Sequence, residues 1–101
     1  MELYPLPEAT KYNYVKSEVK NAYLQILDIY VPDHVLERGI YFLRKNGINV
    51  NFVSLSYVTY LILKYKVGIS YKEFKYMMNQ KRIKYKRLLR ETKRKIFKPI
   101  A

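Results

Sequence analysis

The chain has no cysteine, no tryptophan, one histidine and three glycines. Without cysteine there can be no disulfide, no thiolate zinc site and no cysteine nucleophile. The glycines form no phosphate-cradling loop, and no nucleophile elbow appears. His34 lies next to Asp33 at the start of an expected helix and reads as a surface residue rather than a base. The carboxylates of Glu18, Asp28, Asp33, Glu37, Glu73 and Glu91 have no paired spacing that suggests an acid–base couple or a metal cage. Neither an enzyme nor a cofactor is expected. Long apolar runs are also missing. Phe52 to Leu63, interrupted only by hydroxyl residues, is twelve residues long, against about 20 needed to span a bilayer. No charged n-region followed by an apolar h-region opens the chain. The expectation is an unprocessed cytoplasmic protein that makes no membrane contact and is nucleoid-associated if its partner is DNA.

The scarcest commodity is negative charge. Eight acidic residues face 20 basic ones, a formal net charge of +12 over 101 residues. The imbalance is local, because Ser70 to Lys98 holds twelve Lys or Arg against Glu73 and Glu91, or +10 of the +12. Clustered ammonium and guanidinium groups repel one another until phosphates neutralise them, so this end of the chain reads as a polyanion-binding surface. Half the residues are apolar and 28% are charged, which is a globular composition for one domain with one core. The twelve tyrosines reflect an AT-rich coding sequence or supply rings that stack on nucleic acid.

Periodicity places five helices. Met1 to Asn13, with Pro5 and Pro7, reads as an extended N-terminal arm (residues 1–13) ahead of a helical domain (residues 14–98). Val15, Val19, Tyr23, Ile26 and Tyr30 predict a first helix from about Tyr14 to Tyr30. Pro32 and Asp33 open a second, with Val35, Leu36, Gly39, Ile40 and Leu43 inside. Gly47-Ile48 has the form of a Schellman stop, and Gly68-Ile69 repeats it. Between them, Asn51 to Lys66 is apolar around its whole circumference, as suits the middle helix of a bundle, although its β-branched residues also fit a strand. Ser70-Tyr71-Lys72-Glu73 matches a capping box for a fourth helix, about Tyr71 to Met78, with Phe74, Met77 and Met78 inward. Asn79 is expected in a left-handed turn, and a fifth helix runs from Gln80 or Lys81 to about Phe97, before Pro99.

On that fifth helix Tyr85, Leu88, Leu89, Thr92 and Ile96 share a core-facing stripe. The opposite side carries Arg82, Lys86, Arg90, Arg94 and Lys98 at four-residue spacing, flanked by Lys84 and Arg87. Each like-charge i,i+4 pair costs an isolated helix about 0.2–0.5 kcal/mol. A merely solvated face would interleave glutamates, and this one has only Glu91; a cationic helix lying on a membrane is a further reading. Ile83 and Phe97 point outward among the bases. A short helix, a tight turn and a second helix bearing the charge form the helix-turn-helix arrangement, whose second helix enters the major groove.

The order of features resembles a known family. Ser17-Glu18-Val19-Lys20 to Leu27, then Val31-Pro32-Asp33-His34-Val35-Leu36-Glu37-Arg38, then Leu43-Arg44-Lys45-Asn46-Gly47-Ile48 resemble the cyclin-like core repeat of archaeal transcription factor B and eukaryotic TFIIB. Ser70-Tyr71-Lys72-Glu73-Phe74 and Arg90-Glu91 continue the likeness, which covers about Val15 to Lys95. It implies an all-α fold: a five-helix cyclin-like bundle (one TFIIB core repeat) with a buried third helix and a C-terminal helix-turn-helix. The zinc ribbon and second repeat of the usual factor have no counterpart here. By position, the DNA contacts would be Lys81, Arg82, Lys84, Lys86 and Arg87, to which the charge column adds Arg90 and Arg94. The expected function is a transcription regulator that binds double-stranded promoter DNA through the basic helix. The competing expectation is a protein-interaction module docking on RNA polymerase or TATA-binding protein in the initiation complex.

Overall fold

One helix touches all the others. The computed structural model describes residues 11–98, and within them the chain forms α1 (Asn13–Leu27), α2 (Asp33–Lys45), α3 (Phe52–Lys66), α4 (Tyr71–Gln80) and α5 (Lys86–Ile96), with no strand among the described residues. Helix α3 packs against each of the other four, and α1 also packs on α4. Nine consecutive residues of α3, Phe52 to Tyr60, are buried. That explains the absence of an amphipathic stripe: over this stretch no face of the helix meets water, and only its last turn, at Tyr65 and Lys66, is exposed. The competing strand reading of the segment is set aside. Residues 1–10 of the expected arm, and the stop at Pro99, lie outside the described residues, and Asn13 already belongs to α1.

The caps follow from local chemistry. Asn51 Oδ1 accepts from the Ser54 amide at 2.9 Å while Ser54 Oγ accepts from the Asn51 amide at 3.0 Å, a reciprocal box that starts α3. Ser70 and Glu73 do the same for α4, at 3.1 and 2.9 Å. The Schellman stop after α2 is complete: Gly47 has φ of 68°, and the Ile48 and Gly47 amides donate to the carbonyls of Leu43 at 2.9 Å and Arg44 at 3.1 Å. Gly68 takes φ of 74° after α3. Pro32 is the N-cap of α2 rather than a residue of its first turn, and Asp33 opens the helix.

Helix α1 stops three residues earlier than the periodicity predicts. Asp28 adopts φ of 57°, a conformation that aspartate reaches more readily than most L-residues. The Ile29 amide then donates back to the Tyr23 carbonyl at 3.1 Å, so the helix closes without a glycine. Tyr30 consequently leaves the inner face and is exposed, and Ala22 joins Val19 and Tyr23 inside. Two ion pairs tie α1 to α2: Lys20 to Asp33 at 2.7 Å and Lys16 to Glu37 at 3.4 Å. The first holds the Asp33 carboxyl below its ordinary range and raises Lys20 through the same hydrogen bond.

Helix contact on α3 is close because small groups allow it. A Cβ on Gly39 of α2 would lie 3.0 Å from Leu55 Cδ1 and 3.4 Å from Val58 Cγ1. Further along α3, Ser56 and Thr59 are fully buried, and among the described residues their hydroxyl oxygens have no hydrogen-bond partner. The Tyr23 hydroxyl donates to the Ser56 carbonyl at 2.8 Å within the core.

Burial raises two phenols, Tyr23 well above its ordinary value and Tyr57 to about 12. The folded chain therefore keeps protons that the unfolded chain releases from about pH 10 upward. The stability this supplies is fully present below that pH and is lost as pH rises toward the folded values. Thermal melts should show a Tm that falls between about pH 10 and 12, with a smaller fall in Tyr23→Phe. An equal alkaline slope in the two proteins contradicts the assignment to Tyr23.

Candidate nucleic-acid interface

The basic C-terminal region is split by a turn that periodicity does not reveal. Gln80 still belongs to α4, and α5 begins only at Lys86, with Tyr85 as its N-cap. Expectations for this region are corrected accordingly: the fourth helix runs two residues past Met78, and the fifth starts five or six residues later than predicted. Lys81, Arg82 and Lys84 therefore lie in the connecting turn rather than on the basic helix. The left-handed residue of the turn is Arg82, with φ of 57°, and not Asn79. Asn79 is helical, and its Oδ1 accepts from the Tyr85 hydroxyl at 2.9 Å. That bond fixes the span of the turn from beneath, because Tyr85 is itself buried and seats the start of α5 on the core.

The inward side of α5 carries Leu89 and Thr92, both buried, with Ile96 packed against the core at the far end. Leu88, expected in this stripe, is 40% exposed. With α5 starting at Lys86, Leu88 falls on the edge of the helix facing Ile48 and Asn49. Ile83 and Phe97 are exposed as expected, although Ile83 lies in the turn and Phe97 is the C-cap rather than either being within the helix.

Of the seven candidate contacts, six face solvent: Arg82, Lys84, Lys86, Arg87, Arg90 and Arg94. Lys81 is half-buried, its ammonium 5.3 Å from the centre of the Phe52 ring. Arg87 pairs with Glu91 one turn on, at 3.7 Å, an exposed pair worth about 0.3–0.5 kcal/mol. Arg82, Lys84, Lys86, Arg90 and Arg94 have no carboxylate within 4.0 Å among the described residues. The expected column of five is thereby shortened. Arg82 is carried off by the turn and Lys98 lies past the helix end, which leaves Lys86, Arg90 and Arg94. These three span eight steps, about 12 Å at 1.5 Å per residue, close to the width of the B-DNA major groove. Helix α5 has no acidic residue in its first turn and no side-chain cap, so the partial positive charge of its N-terminus adds to that of the bases.

Three residues that composition did not single out belong to the same surface. Lys93 is half-buried, its ammonium donating to the Tyr71 hydroxyl and lying 4.4 Å from the centre of that ring and 5.7 Å from the Tyr57 ring. Lys75 lies 6.0 Å from the centre of the Tyr71 ring. Tyr71 in turn belongs to an aromatic group with Tyr57, Tyr60 and Phe74, whose centroids are 5.2–5.8 Å apart. Tyr23, Tyr57, Tyr60 and Tyr85 are thus core and not free for stacking, whereas Tyr14, Tyr30, Tyr41, Tyr65 and Tyr76 are exposed. The Lys93–Tyr71 contact joins residues 22 apart in sequence, so no local pattern announces it; the interleaving of tyrosine and lysine in 71–76 was the only available signal.

A hollow of about 530 Å³ lies elsewhere, between α1 and α2, and mixes both signs of charge through Lys16 and Glu37. No helix among the described residues is long and apolar enough to cross a membrane. No protein-family model matches this chain, and no curated protein or solved structure was found to be similar to it.

Proposed function

We propose that this protein is a transcription regulator that binds duplex DNA through α5 and the turn before it, in the manner of one cyclin-like core repeat of the transcription factor B family. The observation that carries the reading is the set Arg82, Lys84, Lys86, Arg90 and Arg94: five exposed cations on one helix and its entry turn, none with a carboxylate partner among the described residues. A short α4, a turn and a charge-bearing α5 seated on a buried α3 have the order of a helix-turn-helix. The sequence likeness from Val15 to Lys95 supports the same arrangement. Phosphate neutralisation would remove the mutual repulsion of these groups and release counterions.

The test is a titration of a labelled promoter duplex across a range of salt. With about five phosphates neutralised, log K should fall against log salt with a slope near −4.5. A slope near zero, or no complex at low salt, overturns the reading. Leu88, Ile83 and Phe97, three exposed apolar side chains at 40%, 40% and 60% on and beside α5, favour the second reading, a module docking on RNA polymerase or TATA-binding protein. A shallow slope with retained recruitment to the initiation complex would select it.

A further inference from the structure

Between α4 and α5 runs a groove that shares Lys86 and Arg90 with the outward ridge. Its rim is wholly cationic: Lys75 from α4, and Lys86, Arg90 and Lys93 from α5. Tyr85 and Leu89 form its floor and Tyr71 one wall, and no carboxylate among the described residues lines it. The two acidic residues of this half of the chain are occupied elsewhere, Glu73 in the α4 capping box and Glu91 with Arg87. The hollow measures about 260 Å³, several times the ~30 Å³ share of a water molecule, so it admits a tetrahedral oxyanion with part of its hydration.

Lys93 distinguishes this groove from a solvated rim. An ammonium that is half-buried gives up hydration, and among the described residues it recovers a phenol oxygen and two aromatic rings. The Tyr71 hydroxyl, once it accepts from Lys93, is left with its own proton to donate outward. A preformed site with four cations and one O–H donor is complementary to an acceptor-only, multiply charged group, and a phosphate has that chemistry.

We propose, on the basis of the duplex-binding reading above, that the α4–α5 groove is a phosphate-binding pocket that takes one backbone phosphate of the DNA, with Lys93 and Tyr71 as its inner wall. It sets the register of α5 on the duplex, whereas the ridge of Arg82, Lys84 and Arg94 supplies general attraction.

Two measurements test it. In the first, the amide and lysine side-chain resonances of the full chain are followed during titration with inorganic pyrophosphate. Saturable shifts should concentrate at Tyr71, Lys75, Lys86 and Lys93 and be lost in Lys93→Met, with circular dichroism confirming that the variant is folded. Shifts spread evenly over all basic residues overturn the pocket whether or not the protein binds DNA. In the second, Lys93→Met and Tyr71→Phe are compared with Lys95→Met, which removes the same charge from the other edge of α5. Lys93→Met should weaken duplex binding at least tenfold more than Lys95→Met, and Tyr71→Phe should weaken it although no charge is lost. Equal losses for the two lysine variants overturn the assignment to a backbone phosphate; pyrophosphate binding that persists alongside would mark a pocket for free anions. Absence of duplex binding by the wild-type chain refutes the parent reading, and the pyrophosphate arm then decides the pocket on its own.

Discussion

Replacing Arg90 and Arg94 together by glutamate should abolish duplex binding while leaving the fold intact. Both side chains are exposed and neither has a carboxylate partner among the described residues. Each reversal removes one phosphate contact and adds one repulsion, so four unit charges change at the interface. At about 0.9 per charge, the salt slope should flatten from near −4.5 to near −1. Projected back from 1 M, where the counterion contribution vanishes, the affinity at 0.1 M salt should fall about 10³–10⁴-fold. Surface changes of this kind alter stability by about 0.5 kcal/mol or less, and the glutamates also break up a run of like charges. Anisotropy titrations with parallel thermal melts would measure both quantities. If the double variant binds as tightly as the wild type, α5 is not the contact helix.

Truncating Phe74 to alanine should nearly unfold the protein. The ring has no exposed surface and lies 5.2–5.8 Å from the ring centres of Tyr57, Tyr60 and Tyr71. It is the anchor by which α4 is seated on α3, and removing it opens a cavity among rings that cannot all collapse inward. Phe→Ala in a core costs about 3–5 kcal/mol, against total stabilities of about 5–15 kcal/mol for small domains. For a chain near 100 residues that corresponds to a Tm drop on the order of 12–40 °C. Phe42→Ala, at a ring 37% exposed, should cost far less and serves as the control. Similar melts for the two variants would mean that the aromatic group is not the keystone of the α3–α4 contact.

The parts of this fold that could be read from sequence are those with local causes. Ser70 and Glu73 are three residues apart and cap each other; Gly47 and Ile48 terminate α2 through bonds within six residues. The buried α3 was legible because no polar stripe interrupts Phe52 to Tyr60. The break between α4 and α5 was not, since neither glycine nor proline occurs from Ile69 to Lys98 and the left-handed position is held by an arginine. Burial accompanies the break: Tyr85 is drawn into the core, and its hydroxyl reaches back over the turn to Asn79. Helix α1 closing on Asp28 is a smaller instance of the same kind. The candidate contacts were found as residues but not as a surface. Six of seven face solvent as expected, yet three of the seven lie in the turn rather than on the helix. Lys93 is not legible in the sequence because its place depends on Tyr71, on another helix.

Helix α5 is moored on one side only. It packs chiefly on α3, through two buried residues of its own and the Tyr85 that precedes it, while its remaining circumference bears cations that push one another apart. Such an element sits near the low end of the local opening free energies within a domain. An anionic partner would then act as a missing piece of the architecture, stiffening the helix as it docks. Part of the gross attraction is spent on that ordering, so the contact can be strong in its pull yet quick to let go.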